Sequence, residues 1–141
     1  MRLIPQRNPF IMVDEFEATG PPTSKESLTG ASCATKLYVR LENYFMLPSG
    51  ELSESGLIEH IAQSASALAG YVAAEQGAAQ PPVGMIAELK HFNCHRRPHA
   101  SDQVTTLITM GFSFGAMTLA HGISSIGNDI ICEIDLKIFI Q

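Results

Sequence analysis

Two polar residues interrupt an otherwise apolar run. Glu59 and Gln63 lie among Leu57, Ile58, Ile61, Ala62, Ala65, Leu68, Ala69 and Val72. Their i, i+4 spacing gives them one shared face on a helix. A carboxylate held in apolar surroundings is pushed towards its neutral form by desolvation, into the range useful to a general acid or base. The plainer reading puts Glu59 on the solvent side as an ordinary helix-former. His60 points about 100° away on a helix, which makes it a core or interface histidine instead of a partner to that carboxylate. Upstream, Ser53-Glu54-Ser55-Gly56 reads as a helix start. Its unpaired backbone N–H groups and positive dipole end suit an oxyanion.

A second cluster is basic. Lys90, Arg96 and Arg97 are three of the nine Lys+Arg, and His91, His95 and His99 are three of the five His. Two readings stay open: a solvated loop, and a docking patch for a phosphate or an acidic carrier protein. Cys94, His95 and His99 match no familiar zinc spacing, so neither a metal nor a cofactor is expected. His121 reads as an ordinary strand residue. Cys33, Cys94 and Cys132 form no CxxC pair and read as small, buried or half-buried thiols in a reducing cytosol.

The elements that must hold these residues are separated by turn signals at Gly20-Pro21-Pro22, Pro48-Ser49-Gly50, Gln80-Pro81-Pro82, Pro98 to Ser101 and Gly127-Asn128-Asp129. A helix is predicted from about Glu54 to about Gln76, with Ser53 as N-cap and Gly77 just past its end. Apolar residues cover more than half its circumference, so it should be buried. Strands are predicted over Phe10 to Glu17, Glu26 to Leu41 with a break near Lys36, Val83 to Phe92, Gln103 to Phe112, Met117 to Ile126 and Ile130 to Ile140. The last alternates cleanly. Ile130, Cys132, Ile134, Leu136, Ile138 and Ile140 share one face, and Glu133, Asp135 and Lys137 the other. One buried helix among antiparallel strands gives an α+β fold with a curved sheet around a single helix.

Composition sets the outer bounds. The chain has 141 residues, 45% hydrophobic and 16% charged, with a formal charge of −5. That length suits a single domain over 1–141. Low hydrophobicity paired with high charge, the mark of disorder, is missing. The acidic balance disfavours nucleic acid, since phosphate neutralisation needs a basic face. No apolar run reaches the roughly 18–20 residues of a membrane span. The opening Met1-Arg2-Leu3-Ile4-Pro5-Gln6 meets charge and proline too early for a signal peptide. A cytoplasmic location is expected.

Three stretches carry a resemblance. Leu3-Ile4-Pro5-Gln6-Arg7-Asn8-Pro9-Phe10-Ile11-Met12-Val13-Asp14 resembles the opening Leu-Pro-His-Arg-x-Pro-Phe-Leu-Leu-Val-Asp of the 3-hydroxyacyl-acyl-carrier-protein dehydratases. Gly56-Leu57-Ile58-Glu59-His60-Ile61-Ala62-Gln63 resembles the start of their central helix, and Leu89 to Gln103 their Arg-Phe-x-x-Pro…Gly-Asp-Gln segment. The overall size and the form of the helix motif look closer to the small dehydratase-like proteins of aryl-polyene and flexirubin pigment clusters. The resemblance implies a hotdog fold and a dimer with active sites at the subunit interface. It implies that Glu59 is the catalytic acid, with Gln63 one turn later to orient it. It also implies that amides near Ser55 and Gly56 polarise a thioester carbonyl.

Two departures stand out. The family's Gly-His-Phe-Pro-Gly motif should fall near Tyr44-Phe45-Met46-Leu47-Pro48, where there is no His, and the His of the opening motif is Gln6. A Gln amide cannot shuttle protons at neutral pH. Gly56 also lies closer to the acid than in the common dehydratases. Three functions follow as expectations. The first is a dehydratase of 3-hydroxyacyl thioesters, on acyl carrier protein or CoA, in fatty-acid or polyene-type synthesis. There the missing His is replaced by water, by Gln6 or by a His such as His91. The second is a hotdog thioesterase, in which one helix carboxylate activates water. The third is a non-catalytic carrier-binding subunit of a heterodimer, whose partner supplies the His. Lys90, Arg96 and Arg97 are the carrier-docking candidates, and either a homodimer or a heterodimer with another hotdog subunit is compatible with the site.

Overall fold

The computed structural model describes residues 10–25, 27–79 and 84–140, without the side chains of 84, 85 and 140. Gln6 and the opening motif up to residue 9 lie outside the described residues. The elements follow the order β1 (Glu15–Gly20), β2 (Ser32–Tyr38), α1 (Glu54–Glu75), β3 (Gly84–Cys94), β4 (Gln103–Phe114), β5 (Met117–Ile126) and β6 (Asp129–Ile140). All neighbouring strands are antiparallel, in the spatial order β1-β2-β4-β5-β6-β3. The sheet wraps α1, which is the hotdog arrangement that the resemblance implies.

α1 is buried because its apolar residues recur at helical spacing. Leu57, Ile61, Ala65, Leu68 and Val72 join Ile108, Met110, Ile134 and Leu136 in one core. Close approach is possible because β5 offers Gly122 to the helix. A Cβ there would come within 2.8 Å of the Ile61 Cγ2. As expected, Ser53 caps the start, and Gly77 follows the Gln76 cap at φ 92°, a left-handed conformation that glycine adopts without strain.

Several predicted bounds are corrected. Phe10 to Asp14 is not strand, because its backbone is claimed by a side chain of α1. Gln63 takes both Phe10 O and Met12 N. β2 starts at Ser32 and runs unbroken through Lys36, which stands opposite Glu15 on one side and Thr105 on the other. A charged residue on the outer face is no break in a half-buried strand. β3 continues to Cys94, two residues past the predicted end, and carries Lys90 and His91 on the strand. In β6, Ile130 is 48% exposed. A register shift opposite Ser124 and Ser125 makes Ile131 the extra residue of a bulge. Ile131 is buried in its place, and alternation resumes from Cys132 to Ile138. No described helix is long and apolar enough to cross a membrane.

Candidate active site

The site begins with the turn that starts α1. The Ser53 Oγ accepts from Gly56 N at 3.1 Å, and Ser53 N donates to Phe45 O at 3.0 Å. This closes the loop carrying Phe45 onto the helix start. Gly56 is required by that closure, since a Cβ there would meet Phe45 Cβ at 2.5 Å and Leu52 Cδ1 at 2.9 Å. The structure therefore corrects the role expected of Gly56. Its N–H is already used by the cap and its surface is covered by Phe45. Ser55 stays exposed, and its amide N–H has no protein acceptor among the described residues.

One turn on, Glu59 is half-buried and accepts from Gln63 Nε2 at 2.9 Å. Gln63 is 1% exposed. It also donates to Phe10 O at 2.7 Å and accepts from Met12 N at 2.7 Å. Both N–H donors and the carbonyl are thus engaged. The result is a carboxylate in one fixed orientation beside a pinned backbone segment. An aromatic wall stands at this end of the helix. Phe10 meets Tyr44 edge-on at 4.9 Å, and Tyr44 meets Phe45 at 5.2 Å. Sequence reasoning expected a His position at Tyr44 to Pro48 and found none. The structure puts a phenyl ring over the helix start in that loop.

None of the five His joins Glu59 within the chain. His60 is the satisfied core histidine that its helical position suggests, with Nδ1 2.6 Å from Met12 O and Nε2 2.8 Å from Thr106 Oγ1. The carbonyl only accepts, so Nδ1 carries the proton. Nε2 then accepts from Thr106, which itself lies 2.6 Å from Ser124 Oγ. Burial lowers the His60 pKa to about 4, against the smaller opposing pulls of Met12 O and Asp14, so the ring is neutral at neutral pH. His91 is corrected as a stand-in for the missing His. It faces away from α1, on the outer side of the sheet, with Nδ1 2.8 Å from Asp135 Oδ2. His121, read as an ordinary strand residue, contacts the other oxygen of the same carboxylate at 2.6 Å. His95 and His99 are exposed on the loop after β3.

The three docking candidates do not form one patch. Lys90 pairs with Glu88 at 3.2 Å on the outer face of β3. Arg96 pairs with Asp129 at 3.3 Å, and Arg97 with Glu54 at 2.9 Å. The two arginines share a separate surface cavity with Glu51, Glu54, Cys94 and His95. Each cation is already matched by an acid of its own chain. Among the described residues no group of His, Cys, Asp or Glu is placed to hold a metal. Burial pushes the Cys33 and Cys132 thiols up to about 12, which leaves them protonated and unreactive.

Sequence reasoning missed the aromatic wall and the outer-face carboxylate. The alternation of β6 places Asp135 outward, but only strand register brings His91 and His121 to it.

Residues 1–113 match the ApeP-like family, ApeP dehydratase. A chain of the dehydratase heterocomplex ApeI:P from Xenorhabdus doucetiae superposes with a TM-score of 0.83 at 14% identity, over 99% of this chain and 89% of that one. A hypothetical thioesterase from Streptococcus pneumoniae, solved with coenzyme A, gives 0.66 at 10% identity, over 91% and 90%. The Escherichia coli PaaI protein from the phenylacetic acid degradation operon gives 0.60 at 10%, over 88% and 82%. The structural likenesses establish the hotdog fold. No curated protein matches in sequence.

Proposed function

The chain belongs to the ApeP-like dehydratase family, and from that premise we propose that it is the carboxylate-bearing subunit of a hotdog dehydratase acting on 3-hydroxyacyl thioesters. The acyl group is carried by acyl carrier protein or CoA, in fatty-acid or polyene-type synthesis in the cytoplasm. A second hotdog subunit supplies the imidazole. The observation that carries this reading is the fixed Glu59–Gln63 pair, whose carboxylate has no imidazole within its own chain.

In the reaction one base takes the α-proton, the β-hydroxyl leaves as water with a second proton, and a 2-enoyl thioester forms. Glu59 serves one of these proton transfers and an imidazole from across the interface serves the other. Gln63 positions Glu59. The Ser55 amide at the helix start is the donor left to hold the developing negative charge on the thioester oxygen. Gly56 is withdrawn from that role. Arg96 and Arg97 receive the acidic carrier by exchanging Asp129 and Glu54 for carrier carboxylates. Lys90 lies elsewhere and takes no part. The open edge of β3, where apolar Ile86 and Leu89 are 40% and 43% exposed, is where the second subunit pairs.

The same Glu59 without an imidazole also fits a thioesterase, since one carboxylate can activate a water. Mass spectrometry of a 3-hydroxyacyl-carrier thioester separates the readings, run with this chain alone and with candidate hotdog partners. Loss of one water, dependent on both subunits and abolished by Glu59→Gln, is expected. Release of free acid would replace the reading with a thioesterase. Dehydration that survives Glu59→Gln would overturn the assigned role of Glu59.

A further inference from the structure

A cavity lies on the outer face of the sheet, on the far side from α1. It encloses about 420 Å³ over β3, β4, β5 and β6, within the ~300–1,000 Å³ usual for small-molecule sites. A polar row crosses it. Thr109 stands opposite His121, His121 opposite Asp135, and Asp135 opposite Lys90. Each carboxylate lining the cavity is shared by two basic side chains. Asp135 takes His121 at 2.6 Å and His91 at 2.8 Å. Glu88 takes Lys137 at 3.0 Å and Lys90 at 3.2 Å.

Four basic side chains line the cavity against two acidic ones, in a chain whose formal charge is −5. With both imidazoles protonated the surplus is 4 − 2 = +2 over these lining residues. With both neutral it is zero. The carboxylates occupy one ring nitrogen of each imidazole and one direction of each ammonium, so Nε2 of both histidines and further Lys N–H groups are left for a ligand. Gly111 on β4 adds no side chain to fill the cavity, and Leu119 gives it an apolar wall.

His91 reaches Asp135 from a strained position. Its φ is 55°, in a register shift between Lys90 and Asn93. A non-glycine residue there is uncommon, and such strain concentrates at sites of function. The two N–H donors, His121 first and His91 second, hold the Asp135 carboxyl below its usual range. The charged groups facing the imidazoles are Glu88 and Lys90 on β3 and Asp135 and Lys137 on β6. Besides His121 itself, β4 and β5 add only uncharged residues, Thr109, Gly111, Leu119 and Ala120.

We propose that this cavity binds a small organic phosphate monoester, gripped by His91, His121, Lys90 and Lys137. A monoester carries about −1.5 to −2 charges at neutral pH, which matches the +2 that the lining carries when both imidazoles are protonated. The site is independent of the Glu59 chemistry and lies on the opposite side of the sheet.

The test is an NMR titration of the histidine ring signals with inorganic phosphate and with phenyl phosphate, against chloride at matched ionic strength. Saturable movement of the His91 and His121 signals is expected, with phenyl phosphate binding more tightly. The doubly substituted His91→Gln, His121→Gln protein should lose saturable binding, followed on its backbone amide signals, while that spectrum stays folded. Equal affinity for the two probes would overturn the ester and leave the free ion as ligand. No saturable shift beyond chloride would remove the site. Unchanged affinity in the double variant would place the phosphate elsewhere.

Discussion

Gln63 spends both N–H donors and its carbonyl on Phe10 O, Glu59 Oε1 and Met12 N. Gln63→Leu would strand the buried Met12 N–H at a cost of roughly 1–3 kcal/mol and release Glu59 from its orientation. A lower urea midpoint together with slower turnover is expected. Glu59→Gln keeps an acceptor for Gln63 and should leave the midpoint near that of the parent. It should slow dehydration about 10²–10⁴-fold, the usual cost of a lost acid or base. Stability and activity measured side by side on the two variants separate positioning from chemistry.

His60 makes a different prediction, about acid. Its folded pKa is lowered to about 4 by burial, against an unperturbed value of about 6.5. Between those values the unfolded chain binds the proton and the folded one does not, so stability falls as pH falls. The contribution is fully present above about pH 6.5. It declines by about 3 kcal/mol by about pH 4. Urea midpoints across that window should trace the decline, and His60→Gln should flatten it.

At the scale of elements, legibility followed the range of the interactions. α1 could be read because its signals are local: the Ser53 cap, the Gly77 stop and an apolar run between them. Most of β6 could be read because alternation is also local. Ile130 could not, because the bulge at Ile131 depends on pairing with Ser124 and Ser125. Phe10 to Asp14 looked like a strand because its apolar residues carry no mark of a partner more than fifty positions away on a helix. In the site, the Glu59–Gln63 pair is legible from spacing alone. The loss of Gly56 as a donor is not, since it follows from where Phe45 folds.

That packing gives a prediction for the helix start. Gly56→Ala would drive a Cβ to 2.5 Å from Phe45 Cβ and 2.9 Å from Leu52 Cδ1. Phe45 must move, and its backbone carbonyl holds Ser53 N. A loss of about 1–3 kcal/mol is expected, as for other overpacked sites, read from thermal or urea unfolding.

At the scale of the whole molecule, the two edges of the sheet are built differently. β1 is six residues long, with Glu15, Glu17 and Thr19 exposed, a register shift at Ala18/Gly20 and Pro21-Pro22 directly after it. Short length, charge, irregularity and proline are the devices that keep an edge from pairing. β3 is eleven residues long. Leu89 stands opposite buried Leu136, and Ile86 opposite buried Ile138, so both point to the core side of the sheet. Yet both are more than a third exposed, although Phe92 and Cys94 at the other end of β3 pack against the core. Among the described residues no strand pairs with the outer edge of β3, and a strand with exposed apolar residues beside such an edge is incomplete as a free surface. The proposed second subunit completes it by adding its own strand. Leu89→Lys should therefore break assembly without unfolding the chain, since that side chain is already half in solvent. Light scattering of the complex should register separate subunits, while circular dichroism of the isolated chain stays unchanged. Glu17→Lys on the β1 edge should leave assembly intact. If Leu89→Lys still assembles fully and Glu17→Lys does not, the partner sits at β1, and the source of the missing imidazole must be sought at that edge.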